Sequence, residues 1–128
     1  MFARLTSPSA CAGTLALTAV MSAPALAVDP HELPAPGSPS RGASLIVSHG
    51  CGACHQIPGI DGADGLVGPP LTLMGRRVFI AGLLRNTPQN MAAWVYDPQR
   101  FVPGNAMPST GLTDADAFDV AAYLESIQ

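Results

Sequence analysis

Residues 50–57 read GCGACHQI, and inside this stretch Cys51, Cys54 and His55 form a Cys-x-x-Cys-His motif. Three chemistries use a Cys-x-x-Cys pair: a redox disulfide, a zinc site and a covalent haem tether. Haem attachment needs two thiols that add to the two vinyl groups and an imidazole that ligates the iron. Cys51, Cys54 and His55 supply these in the required order. A structural zinc site takes four closed ligands, and beyond these three only His49 or His31 lies near. A thioredoxin-type pair sits beside a βαβ pattern, which this chain lacks. The motif therefore reads as a haem c site, with Cys51 and Cys54 as thioether anchors and His55 as one axial ligand.

The sequence upstream fits an exported protein. Arg4 precedes a weakly apolar run from Ala10 to Met21, which ends in SAPALA with small residues at Ala25 and Ala27. That order is the pattern of a secretory signal peptide over residues 1–27, cleaved after Ala27. Pro8 and Pro24 bracket residues 9–23, shorter than the roughly 20 apolar residues of a spanning helix. A retained segment anchored in the inner membrane is the alternative. Export of a chain with this motif implies the bacterial periplasm. Residues 28–40, VDPHELPAPGSPS, hold four prolines and little to bury, so they read as an extended linker.

Residues 41–128 then form the folding unit. Cleavage removes Cys11, which leaves no cysteine for a structural disulfide. So small a core is marginal, and small domains commonly add a disulfide, a metal or a cofactor. Size alone thus favours a bound cofactor. The chain has no lysine, and its six arginines against nine acids give a net charge of −3. An acidic chain without a basic cluster argues against nucleic acid and anionic lipid as partners.

Four helical stretches are expected, joined by long loops. Ser38 as N-cap and Pro39 at the first helical position open a helix running to about Gly50. The stretch RRVFIAGLL (76–84) is ambiguous, because Val78, Phe79 and Ile80 suit a strand as well. Thr87 with Pro88 starts a third helix that places Met91, Trp94 and Val95 on one face and stops at Asp97-Pro98. Thr113 with Asp116 approximates a capping box for the fourth, in which Ala117, Val120, Ala121, Leu124 and Ile127 repeat at helical spacing. The loops 56–75 and 97–112 are rich in glycine and proline, and so much irregular chain needs something inside to organise it.

The second axial position could be filled by a methionine, by a second histidine or by nothing; His31 lies in the linker, and His49, two residues before Cys51, reads as an exposed helix residue. Met74 follows the attachment motif closely, and Met91 is spaced with Trp94 as core. Met107, in PGNAMPST (103–110), is presented from a rigid loop far enough along the chain to reach a second face of the cofactor. Spacing makes Met107 the leading candidate, while a loop methionine can equally be packing.

The motifs CGACH (51–55), GPPL (68–71), GRR (75–77), NTPQN (86–90), Trp94, DPQ (97–99), PGNAMP (103–108) and AAYLESI (121–127) follow one another in a recognisable order. In this the chain resembles class I, mitochondrial-type cytochromes c, above all the cytochrome c domain fused to subunit II of haem-copper oxidases. The resemblance implies an all-α cytochrome c fold, three to five helices and long loops around one covalently attached haem. It also implies Met107 as the second axial ligand. Pro69 would accept a hydrogen bond from His55, and Arg77 and Trp94, with Arg76 as a further candidate, would meet the haem propionates. Asn105 would be a polar neighbour of the Met107 loop, and Gly42 would let the first helix cross the last near Tyr123. The lysine ring of mitochondrial cytochromes c is missing, and Ala106 stands where they carry lysine, so docking through a positive face does not carry over.

These readings describe a single-electron carrier rather than an enzyme. Its donor and acceptor would be redox proteins such as a cytochrome complex, a terminal oxidase or a dehydrogenase. One alternative is a cytochrome c subunit of a membrane oxidase or periplasmic dehydrogenase complex. The other is a peroxidase-like or gas-binding haem protein with an open iron site.

Overall fold

The computed structural model describes residues 37–128. The expected leader, most of the linker and His31 lie outside these residues. Three α-helices carry the core: α1 (Pro39–Ser48), α2 (Pro88–Tyr96) and α3 (Asp114–Ser126). Helices α1 and α2 both pack on α3. Ile46 of α1, Met91, Ala92 and Val95 of α2, and Ala117, Val120, Ala121 and Leu124 of α3 are all buried in one cluster. Among the described residues no helix is long and apolar enough to cross a membrane.

Each helix begins where a side chain can satisfy its first free N–H groups. The Ser38 hydroxyl accepts from Arg41 N, that of Thr87 from Asn90 N (3.2 Å) and that of Thr113 from Asp116 N (3.2 Å). Proline at the first position of α1 and α2 loses nothing there, because its missing N–H would have had no partner. α1 ends at Ser48 with His49 as C-cap, and Gly50 turns the chain in the left-handed region at φ 68°.

The start of α1 is fastened to α3 over a long sequence separation. Ser38 N donates to Asp119 Oδ1 at 2.6 Å, and Arg41 reaches Asp119 Oδ2 at 3.0 Å and Asp116 Oδ1 at 2.6 Å. Residues 37–40, proline-containing and read as linker, therefore sit against α3. The helices cross at Gly42, where a Cβ would run into the Asp119 carbonyl and come within 2.9 Å of Tyr123 Cβ. The Tyr123 hydroxyl donates to Pro58 O at 2.7 Å and ties the loop after the Cys-x-x-Cys-His motif to the same helix.

The ambiguous stretch adds a small two-strand sheet to the expected all-α fold. Phe79–Ile80 (β1) and Leu84–Arg85 (β2) pair antiparallel, with Phe79 opposite Arg85. Ala81 and Gly82 both have positive φ, 50° and 70°, and Leu83 N donates to Ile80 O at 2.9 Å. The connection is three residues long, 81–83, and its positive-φ pair turns the chain with the strands' own twist so that the hairpin closes. The Arg85 guanidinium lies 5.9 Å from the Phe79 ring centre, a cross-strand cation–π contact.

Candidate functional site

A cavity of about 440 Å³ opens between these elements, a size typical of cofactor sites. Cys51, Cys54 and His55 stand on its wall, and so do Pro69, Arg77, Trp94, Asn105 and Met107. All eight residues singled out by sequence thus converge on one space, although more than fifty positions separate the first from the last. Its wall is completed by core side chains including Ile46, Ile80, Val95, Val120 and Leu124. Among the described residues Arg77 is the one arginine on the wall, and no carboxylate lines it. An apolar chamber with one fixed positive charge suits a flat apolar group that carries acid substituents.

The motif is positioned by the turn that follows α1 and by the loop that returns along it. Cys51–Ala53 form a single 3₁₀ turn, and Cys54 N and His55 N both donate to Cys51 O. The returning loop bonds back through Gly65 N to Gly52 O (3.0 Å), Gly68 N to Cys54 O (2.7 Å) and Leu71 N to Gln56 O (2.8 Å). Both cysteines carry free thiols. Burial pushes the Cys51 thiol above its ordinary range, with a small further rise from Cys54 against the lowering effect of its backbone hydrogen bond.

His55 is held in one orientation. Its Nδ1 lies 2.7 Å from Pro69 O, and a carbonyl can only accept, so Nδ1 carries the proton and donates it. Nε2 is left as the bare, electron-rich nitrogen, the arrangement found for metal-ligating imidazoles. Gly68 packs against the ring so closely that a Cβ there would enter the imidazole. The expected role of Pro69 thus has its hydrogen bond. Among the described residues no three His, Cys, Asp or Glu side chains are grouped to hold a metal ion, so the zinc-type set is not assembled.

Three methionines, Met74, Met91 and Met107, line the cavity. Met74 and Met91 are buried at 4% and 1% exposure and belong to the apolar core. Met107 is half-buried and lies outside that core cluster. Its backbone is fully engaged: Met107 N donates to Asn105 Oδ1 at 2.8 Å, and Met107 O accepts from Gln99 Nε2 at 2.6 Å. Asn105 is therefore more than a neighbour of the loop, because its Nδ2 also donates to Pro98 O and Val102 O.

Arg77 reaches the wall while donating to Pro70 O (2.6 Å) and Thr72 O (2.9 Å). Arg76, the further candidate, does not line the cavity. Trp94 is half-buried and stands tilted against Phe101, with ring centres 6.1 Å apart. Two positioning residues escaped the sequence reading. Asn86 Nδ2 donates to both Met74 O and Arg77 O at 2.8 Å, which fixes two wall residues at once. Gln99 grips the Met107 loop. The only signal for either was a place in the NTPQN and DPQ motifs, which names a position and not a bond.

The chain is similar to three bacterial proteins named cytochrome c oxidase subunit 2. It shares 34% identity over 90 residues with that of Alkalihalophilus pseudofirmus, covering 70% of this chain and 25% of that protein. With the Bacillus subtilis protein the figures are 29% over 92 residues, 69% and 26%. With that of Bacillus sp. PS3 they are 32% over 87 residues, 65% and 24%. The chain thus spans about a quarter of the length of the relatives it matches. The sequence model of the family described as cytochrome c matches residues 39–128, from the first residue of α1 through the whole cavity-bearing unit. That match spans both walls of the cavity, and by it the chain belongs to the cytochrome c family.

Proposed function

We propose that the chain passes single electrons between redox proteins through one haem c, tethered by Cys51 and Cys54 and ligated by His55 Nε2 and Met107. One observation carries this reading: two thiols, an imidazole with its outer nitrogen free and a methionine outside the core meet on a single apolar cavity. When bound, the haem supplies a ferric/ferrous couple, and histidine with methionine sets it at a higher potential than two nitrogen ligands do.

The chain's own residues do the rest. Pro69 O holds the His55 proton on Nδ1 and raises the basicity of Nε2. The apolar wall keeps water from the iron, which favours the less charged ferrous state. Arg77 and Trp94 offer donors to the propionates, whose negative charge is costly to bury unpaired. With His55 and Met107 both holding the iron, no position would be left open, and the site would exchange electrons rather than bind small substrates.

The relatives named cytochrome c oxidase subunit 2 support a respiratory role with a terminal oxidase among the partners. A cytochrome complex or a dehydrogenase would stand on the other side of the transfer. Cleavage after Ala27 would release the carrier into the periplasm, and retention of the leader would anchor it.

The test is the visible spectrum of the ferric protein, in which methionine ligation gives a weak far-red sulfur-to-iron charge-transfer band. The band is expected in the native protein and absent from Met107→Ala, whose potential also falls. A native protein without the band, and with ferrous iron that binds carbon monoxide at neutral pH, would replace this reading with the open-site alternative.

A further inference from the structure

We propose that Gln99 is a positioning residue that sets how firmly the sixth ligand stays on the iron. The inference rests on the assignment of Met107 as that ligand.

The loop carrying Met107 has no regular structure to hold it. Pro103 and Pro108 lack N–H groups, and residues 101–113 form neither helix nor strand. A segment without a backbone ladder must find its hydrogen bonds elsewhere or drift. Around Met107 they come largely from the Gln99 side chain in the preceding 3₁₀ turn, Pro98–Arg100, beside a few backbone bonds at the loop's start. Gln99 Nε2 donates to Asn105 O (3.0 Å) and Met107 O (2.6 Å), and Gln99 Oε1 accepts from Gly104 N (2.8 Å). One amide therefore binds the backbone on both sides of Ala106, at Asn105 and Met107, and at Gly104 as well. Its donor and acceptor atoms are both in use, so neither Glu nor Asn can reproduce the set.

The base of Gln99 is fixed in turn. Gln99 N donates to Asp97 Oδ1 (3.2 Å), and the same oxygen accepts from Ser109 Oγ (2.6 Å) beyond Met107. Thr110 Oγ1 donates to Val95 O at 2.7 Å and ends the loop on α2. The clamp is thus anchored to α2 rather than to the loop it holds. Without Gln99, three backbone groups at Gly104, Asn105 and Met107 lose their partners, and the loop keeps its backbone bonds at Phe101, Val102 and Asn105, the Asn105 side chain and its far end as restraints. Met107 then leaves the cavity wall more often.

The experiment measures the affinity of the ferric holoprotein for imidazole, which competes with Met107 for the iron. The proteins compared are the native form, Gln99→Ala, Gln99→Glu, Met107→Ala and Tyr123→Phe. Loss of the clamp is expected to raise imidazole affinity about ten-fold or more in Gln99→Ala, the effect of losing more than one hydrogen bond to the bound-ligand state. Gln99→Glu keeps the acceptor for Gly104 but sets an oxygen against two carbonyls, so it should move in the same direction and serves if the alanine variant does not fold. Tyr123→Phe loses one remote bond and controls for general destabilisation.

Native-like affinity in both Gln99 variants, alongside raised affinity in Met107→Ala, overturns the proposal and leaves the ligand assignment intact. An equal rise in Tyr123→Phe also overturns it, because the effect would then be global. Unchanged affinity in Met107→Ala overturns the ligand assignment itself.

Discussion

Gly42→Ala places one methyl group at the crossing of α1 and α3, and two opposed terms decide the outcome. Alanine is the better helix former by about 1 kcal/mol. Its Cβ, however, would collide with the Asp119 carbonyl and lie 2.9 Å from Tyr123 Cβ. Carbon atoms pack best about 3.5–4.0 Å apart, so α1 must retreat by roughly 1 Å, and a gap of that size forfeits a quarter to a half of the contact energy along the seam. Ile46, Val120 and Leu124 are buried there, each worth about 1.5–3 kcal/mol, so the loss is roughly 2–3 kcal/mol. The net destabilisation is then about 1.5 kcal/mol, before counting the Asp119 bonds to Ser38 and Arg41 that the retreat would stretch. For a domain of this size the melting temperature should fall by about 6–12 °C. Thermal unfolding of the holoprotein, followed by far-UV circular dichroism, measures it. An unchanged or raised Tm would mean that the helices separate at no cost, and would refute the close-crossing argument.

Other predictions concern charge, attachment and the cavity wall. The Asp116 carboxyl is held below its ordinary pKa first by the Thr113 hydroxyl, with burial opposing and the Arg41 guanidinium assisting. A depressed carboxylate stabilises the fold above its unfolded pKa of about 3.9, and this contribution disappears as pH falls through the lower folded value. Asp116→Asn should accordingly flatten the acid limb of a Tm-against-pH curve, and an identical acid limb would count against the linkage. Cys51→Ala combined with Cys54→Ala should yield an intact mass lacking haem and a chain without the native circular dichroism, since cofactor and core complete each other. A fully folded, haem-free double variant would contradict that. Asn86→Ala removes both donors from Met74 O and Arg77 O, and should cost about 2–3 kcal/mol in urea unfolding; a loss below about 0.5 kcal/mol would show that water replaces the amide freely.

Much of the scaffold was readable because its signals are local. Ser38-Pro39, Thr87-Pro88 and Thr113 with Asp116 each announce a helix start within four residues, and all three caps are formed. The motif at 51–55 was legible for the same reason, as its chemistry is written in five consecutive positions. The hairpin was not, because its turn uses Ala81 at positive φ where Asn or Asp would have given the usual signal. That Met107 lies outside the core cluster is likewise a property of the folded loop, which spacing along the chain does not reveal. Gln99 and Asn86 were missed because they act through bonds to backbone carbonyls, and any glutamine or asparagine is equally able to make such bonds. Only the folded path of the loops selects which ones do.

The fastening of α1 to α3 also orders events during folding. The bonds from Arg41 to Asp116 and from Ser38 to Asp119 span 75 and 81 positions, so α1 is fastened only when the last helix of the domain reaches it. Pairings this distant form late and fold slowly, because a long loop must close before any contact rewards it. Throughout that interval the thiols of Cys51 and Cys54 would lie on an unclosed chain, accessible to whatever attaches the proposed haem. Docking of α3 would then bring Val120 and Leu124 onto the cavity wall. A domain closed by its most distant helix contact has a built-in period of openness, and a group to be joined covalently inside the core would have that period in which to be installed.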